Sequence, residues 1–103
     1  MEVYSNRKEL LLAIIIEAND IEKEKNFVTE NKQEMQIASF NLKKGTEILN
    51  HYHPEQERKI TSTSEVITVI KGSLKVNIFD NDLSLVHSQI INSGETVALF
   101  SGG

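Results

Sequence analysis

Two of the three histidines, His51 and His53, stand one residue apart and are the residues best suited to chemistry in this chain. If the stretch around them is a β-strand, the alternation of side chains along it places both imidazoles on one face. Neighbouring imidazoles can hold a metal ion, and they can also act as an acid/base pair, because histidine gains and loses a proton near neutral pH. The pair is therefore a candidate site for either chemistry.

The segments that carry and surround this pair are predicted to be β-strands. Three consecutive isoleucines in residues 10–17 favour a buried strand, because β-branched side chains suit extended backbone. From residue 35 onward, short apolar or alternating segments are separated by turn residues, and Asp80-Asn81-Asp82 is predicted as a hairpin turn because Asn and Asp tolerate a positive φ. The predicted strands here cover 35–42, 47–52, 65–70, 73–79, 83–91 and 95–100. This pattern predicts an all-β sandwich or barrel.

Composition excludes several functional classes. The chain has 103 residues, which predicts one domain, and its net charge of −4 lacks the basic excess that nucleic-acid binding requires. It contains no cysteine, so disulfides and zinc–thiolate sites are excluded. The apolar run 10–16 is far shorter than the roughly 20 residues of a membrane helix. We expect a cytoplasmic protein without a nucleic-acid or membrane partner.

The spacing of several residues resembles a known family. Gly45, five residues, His51-Tyr52-His53, then Glu65, six residues and Gly72 resemble the first conserved motif of the cupin superfamily. Residues 92–100 resemble the beginning of the second motif. The resemblance covers roughly residue 35 to the end and is closest to small single-domain cupins, to which no settled activity attaches.

The resemblance implies a fold and a domain layout. The expected fold is the cupin double-stranded β-helix, a jelly-roll barrel, formed by a single domain over residues 1–103. Within it, residues 1–34 are expected to form N-terminal strands and a loop, and residues 35–103 to carry the cupin motifs.

The resemblance also implies a metal site built from His51, His53 and Glu65. Two imidazoles and a carboxylate suit divalent Fe, Mn, Ni or Zn, and the ligand types alone do not choose among them. Glu57 competes for the carboxylate role, because three residues separate it from His53, as is usual in the family, whereas eleven separate Glu65. Glu65 is preferred because its six-residue step to Gly72 lets it open a strand that turns at that glycine.

The end of the chain departs from the family pattern. The second cupin motif usually supplies a further histidine ligand, and the sequence stops at Gly103, where the turn before that histidine would fall. Either the native chain continues past Gly103 or the barrel closes differently. An incomplete barrel has unpaired strand edges, so we expect a homodimer.

The expected function is binding of a small polar ligand, a sugar or a carboxylate, in the barrel through a divalent metal. Arg58 lies in the long loop between His53 and Glu65, and its forked guanidinium suits a carboxylate or phosphate, so it is predicted to bind the substrate. One alternative is a metal-free sugar-nucleotide isomerase-like enzyme in which His51 or His53 is the catalytic acid/base. Another is a non-catalytic sensor or scaffold. Whether the protein is an enzyme stays open, and His87, alone on its strand, is not expected to belong to the site.

Overall fold

The computed structural model describes residues 1–7, 9–21 and 24–100. Within these residues all strand pairings are antiparallel and no α-helix occurs, so the predicted all-β class is confirmed. The only helical element described is a single 3₁₀ turn at Ala18–Asp20. The strands are β1 Glu2–Tyr4, β2 Leu11–Ile16, β3 Lys25–Phe27, β4 Ala38–Phe40, β5 Glu65–Thr68, β6 Ser73–Phe79, β7 Leu85–Asn92 and β8 Thr96–Leu99.

The chain divides into two compact units, of which the larger comprises Met1–Asp20 and Ser62–Gly103. It holds a four-stranded antiparallel sheet in the order β1-β2-β8-β5 and the β6–β7 hairpin. Its hydrophobic core draws on both, and the buried residues that pack together are Val3, Leu12, Ala13, Ile15, Val69, Ile78, Ile91 and Val97.

Strand β2 is the most deeply buried element of the larger unit, as its isoleucine run predicts. Its residues from Leu12 to Ile15 are at most 2% exposed. Both of its edges are paired, to β1 and to β8, with Ile15 opposite Val97. A strand with neighbours on both sides and buried side chains on both faces reads as a continuous apolar run rather than an alternating one.

The β6–β7 hairpin turns where the sequence predicts, but its positive φ is on a different residue. The amide of Leu83 donates to the carbonyl of Asp80 at 2.8 Å, and the amide of Asp80 donates to the carbonyl of Ser84 at 2.8 Å. These bonds make a three-residue loop in which the last position is left-handed, and that position is Leu83, with φ of 69°. The prediction that an Asn or Asp of the Asp80–Asp82 turn carries the positive φ was wrong.

The smaller unit comprises Ile21–Thr61 and contains the β3–β4 ladder, in which Lys25 pairs with Phe40 and Phe27 with Ala38. The strand predicted over residues 47–52 is absent: the backbone from 41 to 64 forms no strand. A strand requires a neighbour to satisfy its amides, and none pairs with this segment. Its apolar side chains also stay in solvent, since Leu49 is 81% exposed.

In the described part of the chain, the strands form three separate sheets and do not close a barrel. The cupin jelly roll therefore stays a prediction. None of the described residues forms a helix with the length and apolar character needed to cross a membrane.

Candidate functional site

The histidine pair, His51 and His53, lies in the extended segment of the smaller unit and is exposed to solvent. The two ring centroids are 5.2 Å apart and the ring planes are inclined by 84°. The imidazoles are therefore neighbours, although no strand ladder holds them. Both can be reached by a ligand without any rearrangement of a core.

One hydrogen bond sets the protonation pattern of His51. Its Nδ1 lies 3.0 Å from the carbonyl oxygen of Leu49. A carbonyl oxygen only accepts hydrogen bonds, so Nδ1 must carry the proton and donate it. In neutral His51 the lone pair is consequently on Nε2. A histidine whose second ring nitrogen donates to a backbone carbonyl is the arrangement found for metal-ligating histidines, because the bond orients the ring.

The separation of the rings is compatible with a shared metal ion. In a tetrahedral zinc site with Zn–N bonds of about 2.0–2.1 Å, the centroids of two coordinating imidazoles lie about 5 Å apart. The observed 5.2 Å matches that geometry. Within the described ranges, no three His, Asp or Glu side chains group as metal ligands. The two rings are thus close enough for both to reach one metal ion.

An open groove of about 730 Å³ runs beside the pair within the smaller unit. Its apolar part consists of Phe27 and Phe40, which lie on the same face of the β3–β4 ladder, together with Leu42, Ile48 and Leu49. We call this set the apolar groove. His51 and His53 line it, as do the charged residues Glu24, Lys25 and Glu47. Phe27 is 59% exposed, so the groove offers aromatic surface that no described side chain covers fully.

His53 also lines a second pocket, of about 390 Å³, together with Arg58. The guanidinium of Arg58 donates from Nη1 to the carbonyl of Gln33 at 2.8 Å and from Nη2 to Oε1 of Gln56 at 2.9 Å. Nη1 also donates to the carbonyl of Asn31 at 3.4 Å, so Arg58 holds the loop at residues 31–33. Its predicted role in substrate binding stays a prediction.

The two candidate carboxylates lie in different units. Glu57 belongs to the smaller unit, like the histidine pair, and lines a pocket of about 290 Å³ with Arg58. Glu65 is the first residue of β5 in the larger unit, and it shares its strand face with Ile67, which packs against the core. Which of the two completes a metal site stays a prediction.

His87 takes part in a polar chain that the sequence did not reveal. Its Nε2 lies 2.8 Å from Oε1 of Gln89, and Nε2 of Gln89 donates to Oε1 of Glu17. Positions 87, 89 and 91 alternate along β7, and Ile91 is buried, so this polar pair lies on the core-facing side of the strand. This alternation could have been read from the sequence. The hydrogen bonds satisfy partly buried polar groups, so we assign these side chains a structural role.

Comparison with family models, curated proteins and solved structures finds no match to this chain. The cupin resemblance consequently stands on the sequence alone, on the spacing from Gly45 to Gly72 and on residues 92–100.

Proposed function

We propose that this chain is a small cupin-type protein that binds a small polar ligand at the histidine pair, where a divalent metal ion is held. The observation that carries the proposal is the hydrogen bond from Nδ1 of His51 to the Leu49 carbonyl, which leaves the Nε2 lone pair available beside His53. The third ligand that the resemblance implies, Glu57 or Glu65, is not part of this proposal. A bound divalent metal would supply a Lewis acid that polarises a ligand oxygen.

The surroundings of the pair favour a ligand with a polar end and an apolar body. The polar end would meet the imidazoles, and the body would lie against Phe27 and Phe40 of the apolar groove. A carboxylate on the ligand would be within the pocket that His53 shares with Arg58, whose fork suits that group. A cytoplasmic location, favoured by the cysteine-free sequence, is part of the same proposal.

Metal content tests the proposal. The chain is purified, loaded with Fe(II), Mn(II), Ni(II) or Zn(II), dialysed and subjected to elemental analysis. We expect metal to be retained and to be lost in the double variant His51→Gln/His53→Gln. His87→Gln is the matched control, because it removes the remaining histidine and should leave the metal in place. Equal retention by the wild-type chain and the double variant would overturn the proposal.

Ligand binding is tested separately by thermal unfolding. A ligand present at 100 times its Kd stabilises the folded state by about 2.7 kcal/mol, which is a readily measured shift in Tm. Sugars and small carboxylates that raise the Tm of the wild-type chain should not raise that of His51→Gln/His53→Gln. If neither metal nor any such ligand shifts the Tm, a sensor or scaffold role replaces the proposed function.

A second candidate function is a metal-free isomerase acting on a keto sugar linked to a nucleotide. The same hydrogen bond favours it, because a neutral His51 with its lone pair on Nε2 can act as a general base. Nε2 would take the proton from the hydroxyl-bearing carbon beside the ketone and return it to the former ketone carbon, while the hydroxyl proton passes to the ketone oxygen, so that the ketone moves by one carbon. Exchange of that proton for deuterium, absent in His51→Gln, would support this chemistry, and no exchange by the wild-type chain would exclude it.

A further inference from the structure

We propose that one Zn²⁺ ion bridges two copies of this chain, with His51 and His53 of each copy as its four ligands. This inference rests on the proposed metal binding by the histidine pair. It names what completes the coordination shell when the metal is zinc, and it identifies the partner as a second copy of the chain.

The histidine pair supplies two of the four ligands that a zinc ion prefers. Zinc prefers four ligands in a tetrahedron, and two rings whose centroids are 5.2 Å apart are close enough to supply two of them. In the part of the chain that the structure describes, no third His, Asp or Glu groups with other such side chains as a ligand set. Two more imidazoles would complete the shell, and a second copy carries two of the same kind.

The histidine pair lies where a second molecule can reach it. Both histidines and the whole segment from 43 to 61 are exposed, so another protein molecule can approach the free Nε2 of His51. A two-fold axis through the metal would place the same surface of each copy against the other, which is the commonest symmetry of protein dimers.

Exposed apolar side chains lie beside the two histidines in the sequence. Leu49 is 81% exposed and Tyr52 is 83% exposed, and they stand two residues before His51 and between the two histidines. A second copy held by the metal would bury these side chains against their own counterparts. Removal of large apolar side chains from water would add to the free energy of association.

A bridged zinc ion has consequences for the proposed ligand site. Four imidazoles close the tetrahedral shell and leave no open position, which is the pattern of structural zinc. Metals that accept more ligands, such as Fe(II), Mn(II) or Ni(II), would keep positions open for a small molecule. Zinc should therefore convert the chain into a dimer in which the histidine pair is closed to the ligand.

Sedimentation equilibrium with a zinc titration tests the inference. The full chain is measured with EDTA and then with zinc at half an equivalent per chain, and the bound zinc is quantified. With zinc as the link of the expected homodimer, we expect the chain mass of 11.6 kDa with EDTA and twice that mass with zinc, at one zinc per two chains. The variants are His51→Gln/His53→Gln, which should stay monomeric, and Glu65→Gln and His87→Gln, which should dimerise like the wild-type chain.

The outcomes separate this inference from the proposed function. One zinc per chain without a change in mass, lost in His51→Gln/His53→Gln, would overturn the bridge and leave the proposed metal site standing. Zinc-dependent dimerisation that persists in His51→Gln/His53→Gln, or a dimer already present with EDTA, would also overturn the bridge. No zinc bound through the histidine pair at all would overturn both.

Discussion

At the scale of single residues, the local backbone orients the ring of His51. The Leu49 carbonyl accepts a hydrogen bond from Nδ1–H, so the ring orientation and the lone pair on Nε2 are set by main-chain atoms two residues away. In metal-binding histidines, loss of such an outer contact typically lowers metal affinity by about 10–100-fold. The spacing of the two histidines indicates that they are neighbours, but it does not indicate which nitrogen is available, because that depends on the local backbone.

Leu83 offers a direct test of backbone strain. It has a φ of 69° and is 82% exposed, so its side chain contributes little packing while its Cβ makes the left-handed conformation unfavourable. We expect Leu83→Gly to raise the free energy of unfolding by up to about 1 kcal/mol, after allowing for the greater freedom of glycine in the unfolded chain. Urea unfolding measures the change.

Gly94 is the matched control for that substitution. Its φ is 83° and an added Cβ would meet nothing within 4 Å, so Gly94→Ala changes backbone energy without a clash. We expect a decrease of about 1 kcal/mol in the free energy of unfolding. A Leu83→Gly variant that is less stable than the wild-type chain would contradict the assignment of strain to Leu83.

Asp80 should make stability depend on pH. The Ser5 hydroxyl, at 2.7 Å, is the largest cause that lowers the pKa of this carboxyl below its ordinary value of 3.8, and the amides of Asn81 and Asn6 lower it further. A lowered pKa in the folded state stabilises the fold above about pH 4, and that stabilisation is lost as pH falls through the lowered pKa. We therefore expect Asp80→Asn to be less stable than the wild-type chain at pH 7.

Asp80→Asn should also reduce the loss of free energy of unfolding that occurs as the pH falls. Urea unfolding between pH 6 and pH 2 would show a smaller loss of stability in Asp80→Asn than in the wild-type chain, and Ser5→Ala should lie between them. Parallel profiles for all three proteins would show that Asp80 does not contribute to the acid sensitivity.

At the scale of elements, residue patterns predict strands well where the side chains decide the structure. The isoleucine run of β2 and the alternation of β6 are both observed, with β6 at the predicted residues 73–79. The strand predicted over 47–52 failed because its existence depends on a partner strand, and a single sequence does not show pairing. The hairpin turn was located correctly, but its left-handed residue was not, because the bonding of Asp80 to Leu83 and Ser84 selected a three-residue loop.

Packing at the centre of the larger unit gives a prediction for β2. Ile15 is 0% exposed and lies opposite Val97, which is also 0% exposed. Ile15→Val removes one buried methylene and should lower the free energy of unfolding by about 0.5–1.5 kcal/mol. Ile90→Val, the same substitution at a side chain that is 50% exposed, should change it by less than about 0.5 kcal/mol. Equal effects in urea unfolding would contradict the assignment of β2 to the core.

At the scale of the whole molecule, the core and the candidate site belong to different units. The larger unit holds the buried core, whereas the histidine pair lies in the smaller unit, in a segment without strands. Binding sites are commonly built on such low-stability segments. The cupin resemblance predicted the two histidines as metal ligands, but it did not predict that they would lie outside any β-strand.

Hydrogen exchange should report this division. Amides of β2 and β8 lie in paired strands beside the buried core and should exchange most slowly, whereas amides from 47 to 61 are in no strand and should exchange fastest. Bound metal should slow exchange around residues 49–53 selectively. Slow exchange of that segment without metal would contradict its strandless structure.

Nitrogen NMR of the histidine side chains tests whether His51 and His53 bind metal through available ring nitrogens. The chain has three histidines, so each ring can be assigned by substitution. We expect neutral His51 to carry its proton on Nδ1. We expect zinc to shift the nitrogen resonances of His51 and His53 and to leave those of His87 unchanged. A proton on Nε2 of His51, or no response of either ring to zinc, would contradict these expectations.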